Sequence, residues 1–353
     1  MKNPYYNPAK KHHRPDGFQN NYMSFRGKRW HELLRWRWQA WRAGHPRPIT
    51  TQIPIVKPDL GFIHANAGAG FQMQPAVTWI GHITVLAQMG GLNILTDPVF
   101  SDRCFPVQWA GPKRQTPPGL QPDELPHIDV VLLSHNHYDH MDEGSLLALS
   151  KQAGGSPLFI TPLGHQRWFA RRGIHRVVEL DWWDTHVLDA TDHSARIPVT
   201  LTPAQHWSAR TATDALRSLW GGFAVMAPDC HLFFAGDTGY SKDFIDIRQH
   251  FARAQTPELG GGFDIALLPI GAYEPRWFMK DQHVNPEEAV QIFHDLGCKQ
   301  AMAVHWGTFE LTDEALDEPP RALALAKQKT GLQADRFSTL AIGETMKISH
   351  RSR

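Results

Sequence analysis

The chain of 353 residues has little that could staple it together or carry it across a membrane. Its three cysteines, Cys104, Cys230 and Cys298, stand far apart with no C-x-x-C, so neither a disulfide framework nor thiolate metal sites organise it. The longest apolar runs, such as 130–133 and 232–235, fall far short of the roughly 20 residues that a membrane-crossing helix needs. Residues 1–27 are polar and basic and are broken by Pro4, Pro8 and Pro15, so they lack the apolar centre of a secretory signal and a cytoplasmic location is expected. No repeat of solenoid length is present, and no G-x-S-x-G marks a serine nucleophile. With 42% hydrophobic and 20% charged residues, the composition excludes collagenous, coiled-coil and largely disordered chains.

Charge balances overall but not along the chain. The net charge of +1 divides into +9 for residues 1–50, which hold eleven Lys and Arg against Asp16 and Glu32, and −8 for the remainder. Residues 1–50 therefore read as a basic, Trp-rich arm and 51–353 as a catalytic body. Within the arm, 28–42 is expected to be a helix with Trp30, Leu33, Leu34, Trp38 and Trp41 on one stripe, Trp36 off it, and Arg29, Arg35, Arg37 and Arg42 interleaved. Such a helix resembles an interfacial anchor, with Trp at headgroup depth and Arg toward anionic lipid. The alternative is a helix packed on the body with its Arg face solvated. Nucleic acid is not expected as a partner, because no binding module accompanies the arm. A homodimer is left open.

From about residue 51 onward short apolar strands alternate with turns and helices. Strands are expected at 77–80, 83–88, 93–96, 129–133, 158–160, 176–179, 199–202, 222–226, 232–235, 265–269 and 300–304. Asn285 caps an expected helix with Pro286 in its first turn, Glu288 completing a capping box, and Gly297 ending it. Mixed strands and helices of this kind imply two sheets covered by helices. The stretch 98–126 carries seven prolines and no period, so it reads as a long ordered loop.

The strand at 129–133 runs directly into Ser134-His135-Asn136-His137-Tyr138-Asp139-His140. His135 and His137 project to one side of an extended chain and can grip one cation. A turn near Met141 swings Asp139 and His140 toward a neighbouring position, so one loop can serve two metals about 3.5–4 Å apart. Four ligands are too few for two ions, and further candidates stand at the ends of other strands: His206, Asp237 and His305. A lone histidine at a strand end is ordinarily a cap or a core residue, and His64, His82, His127, His165 and His231 are read that way.

This set resembles the metallo-β-lactamase superfamily, an α+β fold of αββα type in which two mixed β-sheets are sandwiched between outer helices. More closely, it resembles the family of N-acyl-phosphatidylethanolamine-hydrolysing phospholipase D. The matching segments include 78–82, 95–98, 111–114, 134–142, 179–183, 205–207, 234–240, 269–279, 283–290 and 305–309, with 271–279 (GAYEPRWFM) the most family-specific. The similarity spans about residues 75–345 and leaves the arm uncovered.

The resemblance implies His135, His137 and His206 as ligands of one zinc and Asp139, His140 and His305 as ligands of a second. Asp237 would bridge the two, with Asp97 orienting the ligand loop from behind. Iron or manganese also suits such nitrogen and oxygen donors. Asp139, Asp237 and His283 are the residues on which catalysis is expected to turn, His283 lying outside the metal ligands and either protonating a leaving alkoxide or hydrogen-bonding a phosphate oxygen. The implied reaction is hydrolysis of a phospholipid to N-acylethanolamine and phosphatidate. Tyr273, Arg276, Trp277 and Phe278 are candidates for the substrate mouth, or else a loop packed beneath the sheet edge. The partners expected are a phospholipid substrate and an anionic membrane surface met peripherally through the arm, whose removal would spare hydrolysis of dispersed substrates. A lactonase or soluble phosphodiesterase on the same scaffold is the nearest rival reading. A membrane-surface binding protein with a structural metal site is the rival from another class.

Overall fold

Strands that are apolar along nearly their whole length, and so need cover on both faces, assemble here into two seven-stranded sheets. The computed structural model describes residues 2–25, 27–28, 30–190 and 195–351. A short hairpin of β1 (His13–Arg14) and β2 (Gly17–Phe18) precedes helices α1 (Trp30–Ala43) and α2 (Leu60–Ala67). The first sheet contains β3 (Ala76–Gly81), β4 (Thr84–Met89), β5 (Leu92–Thr96) and β6 (Val130–Leu132), then α3 (Glu143–Ser150), β7 (Leu158–Pro162), α4 (Gln166–Ala170) and β8 (Val177–Leu180). The second runs through β9 (Thr185–Asp189), β10 (Arg196–Thr202), β11 (Gly222–Ala227), β12 (Cys230–Phe234), α5 (Asp243–Phe251) and β13 (Ile265–Pro269). It continues with α6 (Arg276–Met279), α7 (Pro286–Leu296), β14 (Gln300–Val304), α8 (Glu318–Thr330) and β15 (Phe337–Ser338), after which β16 (Thr345–Lys347) returns to pair with β3 in the first sheet.

Both sheets are mixed. Strands β5 to β8 are parallel, as are β12 to β15, while the other half of each sheet is antiparallel. The facing sides share one core that includes Trp79, Val85, Phe223 and Phe234. Each parallel half sends the C-terminal ends of its strands to one edge, which is where loops bearing polar side chains can converge. Helix α7 forms as its local signals require: Asn285 and Glu288 make a reciprocal capping box, and Gly297 ends the helix in the left-handed region at φ 64°.

The eleven expected strands are all present, with ends shifted by a few residues at most. Strand β9 was not foreseen, because Thr185–Asp189 is a half-exposed edge strand without an apolar run. Nor were β1, β2, β15 and β16, which are only two or three residues long.

The N-terminal segment is built into the body. Phe18 is fully buried in the main core, and Gly17 passes so close to the Leu216 carbonyl that no Cβ would fit. Asp181 accepts hydrogen bonds from Lys10 Nζ at 2.6 Å, His12 Nε2 at 2.7 Å and His13 Nε2 at 2.8 Å. Burial acts to raise this carboxyl, but the hydrogen bonds from His12 and Lys10 outweigh it and hold Asp181 well below the usual carboxylate range. The charge division at residue 50 is thus no packing boundary, and removal of residues 1–45 would take core with it.

Candidate metal centre

All seven residues expected as ligands meet at that edge. His135 and His137 follow β6, and His206 follows β10; their nitrogens converge, with His135 Nε2 2.8 Å and His206 Nε2 3.2 Å from His137 Nδ1. Asp139, His140 and His305 form a second group, in which His305 Nε2 and His140 Nε2 lie 3.3 Å and 3.5 Å from Asp139 Oδ2. Asp237, beyond the end of β12, stands between the groups. Its Oδ2 is 3.1 Å from His140 Nε2 and 3.9 Å from His206 Nε2, and its Oδ1 is 3.2 Å from His305 Nε2.

The electrostatics of this cluster call for a cation. Burial pushes the imidazoles of His135, His137 and His206 down, the last two to about 3 and about 4, so they are neutral donors. Burial acts to raise Asp139 and Asp237, yet neighbouring histidines, His140 foremost, hold both well below the ordinary carboxylate value. Burial likewise acts to lower His140 and His305, but the same carboxylates outweigh it, raising His140 well above its usual value and His305 to about 9. Protons on two imidazoles therefore balance two buried carboxylates, a charge that a divalent cation supplies better. Imidazole and carboxylate donors without thiolate fit such an ion, so the residues present suit divalent metal.

The ligand rings are held from behind. Asp97, completely buried, accepts from Ser134 N–H at 2.7 Å and Ser134 Oγ at 2.5 Å, and its Oδ2 is 2.6 Å from His140 Nδ1. That contact leaves His140 Nε2 for the centre. His206 Nδ1 is bonded to the Gln282 carbonyl at 2.8 Å, which frees its Nε2 in the same way. One residue read as an ordinary core histidine belongs here: His82 Nε2 lies 3.1 Å from Asp139 Oδ2. Its signal was the motif Trp79-Ile80-Gly81-His82, in which the β3–β4 turn holds His82 at φ 52°; Asp97 and His305 also have positive φ, at 28° and 62°. Backbone strain of this kind clusters at working sites.

The residues expected around the substrate separate. Trp277 is substantially exposed, but Phe278 is buried against Trp36, and Tyr273 is buried with its hydroxyl donating to Glu318. Arg276 pairs with Glu288 at 2.7 Å and donates to the carbonyls of His283 and Tyr273 at 2.8 Å and 3.2 Å. It braces the loop instead of offering its charge to solvent. His283 stands against the centre itself, with Nδ1 3.8 Å from Asp237 Oδ2 and its ring 5.2 Å from that of His206. Nδ1 is buried and has no hydrogen-bond partner among the described residues.

A two-sheet sandwich with histidine and aspartate clusters at one edge defines a metal-dependent hydrolase of metallo-β-lactamase type. Residues 92–306 match the family described as beta-lactamase superfamily domain. A gut-bacterial isothiocyanate hydrolase from Delia radicum shares the fold with a TM-score of 0.60 at 21% identity, over 78% of this chain and 99% of that one. N-acyl-phosphatidylethanolamine-hydrolyzing phospholipase D 1 of Caenorhabditis elegans is 35% identical over 282 residues, 78% of this chain and 76% of that protein. The mitochondrial protein of the same name in Saccharomyces cerevisiae is 39% identical over 76% of this chain and 55% of its own length. The chain belongs to the N-acyl-phosphatidylethanolamine-hydrolysing phospholipase D family.

The support given by Asp97 is open to test. Replacing Asp97 with Ala frees the His140 ring and the Ser134 peptide, and metal affinity measured by chelator competition is expected to fall about 10- to 100-fold. Unchanged affinity would remove the positioning role.

Proposed function

We propose that the chain hydrolyses the phosphodiester of N-acyl-phosphatidylethanolamine-like phospholipids at a membrane surface, releasing N-acylethanolamine and phosphatidate with the aid of two zinc ions. One observation carries the lipid reading. The buried apolar side chains of helix α1 among the described residues are Trp36 and Ala40, which meet Phe278 and Met279 of α6. Trp30 and Trp41 are 75% and 77% exposed, and Leu33, Leu34 and Trp38 are exposed beside them. The stripe that a packed helix would bury is therefore the face turned outward, and Arg37 and Arg42 of the same helix are exposed. Among the described residues no helix is long and apolar enough to cross a membrane, so such a face supports contact in the plane of the interface.

His135, His137 and His206 would hold one ion, Asp139, His140 and His305 the other, and Asp237 both. Bound metal neutralises phosphate oxygens and lowers the pKa of a water toward neutrality. The remaining work belongs to the chain. Asp97 keeps His140 turned inward, and Arg276 fixes the main chain at His283. His283 Nδ1, buried and without a hydrogen-bond partner among the described residues, lies 3.8 Å from Asp237 Oδ2, a position from which it would hydrogen-bond a phosphate oxygen.

Turnover of N-acyl-phosphatidylethanolamine in mixed micelles, compared with lactones and bis-p-nitrophenyl phosphate, tests the reading. Phosphatidate and N-acylethanolamine are expected from the native chain and neither from Asp237→Asn, with the circular dichroism of the variant unchanged. Faster turnover of lactones would favour the lactonase alternative, and a fully metallated chain inert on all three would favour a binding protein. For His283→Ala, turnover is expected to fall about 100-fold, equally on substrates with good and poor leaving groups and with metal retained. Selective recovery with a p-nitrophenolate leaving group would instead make His283 the acid. The double variant Trp30→Ala/Trp41→Ala is expected to weaken cosedimentation with anionic vesicles by roughly tenfold or more, since each large apolar side chain contributes about 1.5–3 kcal/mol when buried. Hydrolysis of dispersed short-chain substrate should not change. Vesicle binding equal to that of the native chain would remove α1 as the anchor.

A further inference from the structure

We propose that Asn20 is a positioning residue of the metal centre, clamping the peptide group of His206 so that the N-terminal segment completes a site whose ligands all lie far along the chain. The proposal rests on His206 being a metal ligand. Asn20 is 5% exposed, and its carboxamide makes both bonds that a paired strand would make. Nδ2 donates to the His206 carbonyl at 3.1 Å, and Oδ1 accepts the His206 N–H at 3.0 Å. Oδ1 also accepts the indole N–H of Trp220 at 3.1 Å, a proton shared with the Ala204 carbonyl at 2.9 Å.

The need for such a clamp follows from where His206 lies. Strand β10 ends at Thr202, and although Gln205 is bridged to Gly239, His206 itself has no ladder partner. Among the described residues no other hydrogen bond reaches its main-chain N–H or C=O. A buried peptide group left unpaired costs about 1–3 kcal/mol per polar atom, and a loop free to repair that loss would move the ring. With Asn20 in place, His206 is held at three points, the third being the bond from Nδ1 to the Gln282 carbonyl at 2.8 Å. Its Nε2 is then aimed at the centre with little freedom left. Asn20 is itself delivered by a fixed path: Gln19 N–H donates to the His12 carbonyl at 2.9 Å, Phe18 N–H to the Leu216 carbonyl at 2.8 Å, and His12 is tied to Asp181.

Asn3 offers a matched control. It ties the same segment by donating to the carbonyls of Gly17 and Arg14 at 2.8 Å and 3.2 Å, yet it does not reach His206. Full-length native chain and the variants Asn20→Ala, Asn3→Ala and His206→Ala would be loaded with Co2+, its dissociation constant read by chelator competition and its ligand field by visible absorption. Asn20→Ala is expected to weaken Co2+ binding about 10- to 100-fold and to alter the absorption bands, while Asn3→Ala matches the native chain. If His206→Ala binds Co2+ as the native chain does, the ligand reading itself fails. If His206→Ala loses Co2+ but Asn20→Ala keeps native affinity and bands, the clamp is overturned. Equal weakening in Asn3→Ala and Asn20→Ala also overturns it, since the effect would then be general loosening of the segment. Should Asn20→Ala not fold, the near-isosteric Asn20→Asp decides: it keeps the acceptor but loses the donor to the His206 carbonyl, so weakened binding supports the clamp and native binding refutes it.

Discussion

The buried carboxylate of Asp237 is the constraint around which the rest is arranged. An ionised carboxylate taken out of water costs several kcal/mol unless charge and hydrogen bonds meet it, and this one is met from both sides by imidazoles. To bring it there, the chain leaving β12 turns through Gly236 at φ 61°, where a Cβ would lie 2.7 Å from that of Ser134. Ser134 is in turn held by Asp97, which also sets the His140 ring. The two sheets are thus locked together at the site by contacts too close for another residue at 236, and the geometry of the metal centre is a property of sheet packing, not of one loop.

Topology supplies the other half of the arrangement. Strands β5, β6, β12 and β14 end at the same edge of the two sheets, so Asp97, His135, Asp237 and His305 need only the first residues beyond their strands to meet. The proline-rich loop after β5 closes the edge. Arg114 Nη2 donates to the Val99 carbonyl at 2.5 Å, and Gln115 N–H donates to that of Thr308 at 2.8 Å, which ties this loop to the turn following His305.

What could be read in the sequence was what local signals determine. The capping box of α7 is legible because Asn285, Glu288 and Gly297 act within one turn of each end. The ligand loop is legible because its histidines and aspartate crowd into six positions. His82 was not legible from local pattern, since a single histidine after a strand has the same appearance whether it packs or braces a ligand; only the segment 78–82 shared with the family marked it. The integration of the N-terminal segment was hidden for a related reason: net charge registers Lys10 and Arg14 but not the buried ring of Phe18 or the amide of Asn20, whose partners are about 200 residues away. Tyr273 and Phe278 looked like mouth residues because aromatic residues in a family-specific loop serve packing as readily as binding.

Helix α1 shows where periodicity stops being informative. The spacing of Trp30, Leu33, Leu34, Trp38 and Trp41 defines an apolar face, but which way a face turns depends on what it meets. The body offers the buried apolar residues of α1 the side chains of Phe278 and Met279, with Asp313 accepting the Trp36 indole N–H at 2.8 Å. Arg35 stacks on Trp277 with 4.8 Å between guanidinium carbon and ring centre, and Lys28 lies 4.8 Å over the Phe278 ring. These contacts fix the rotation of the helix, and they use its narrow side. A helix free to minimise exposed apolar surface would turn its broad face inward; holding five large side chains outward is unfavourable in water and is relieved only by a further apolar phase or partner. The same α6 that seats α1 leads within four residues to His283, so the outward face and the metal centre are joined through one short segment. That connection is why the interfacial substrate proposed above would engage both.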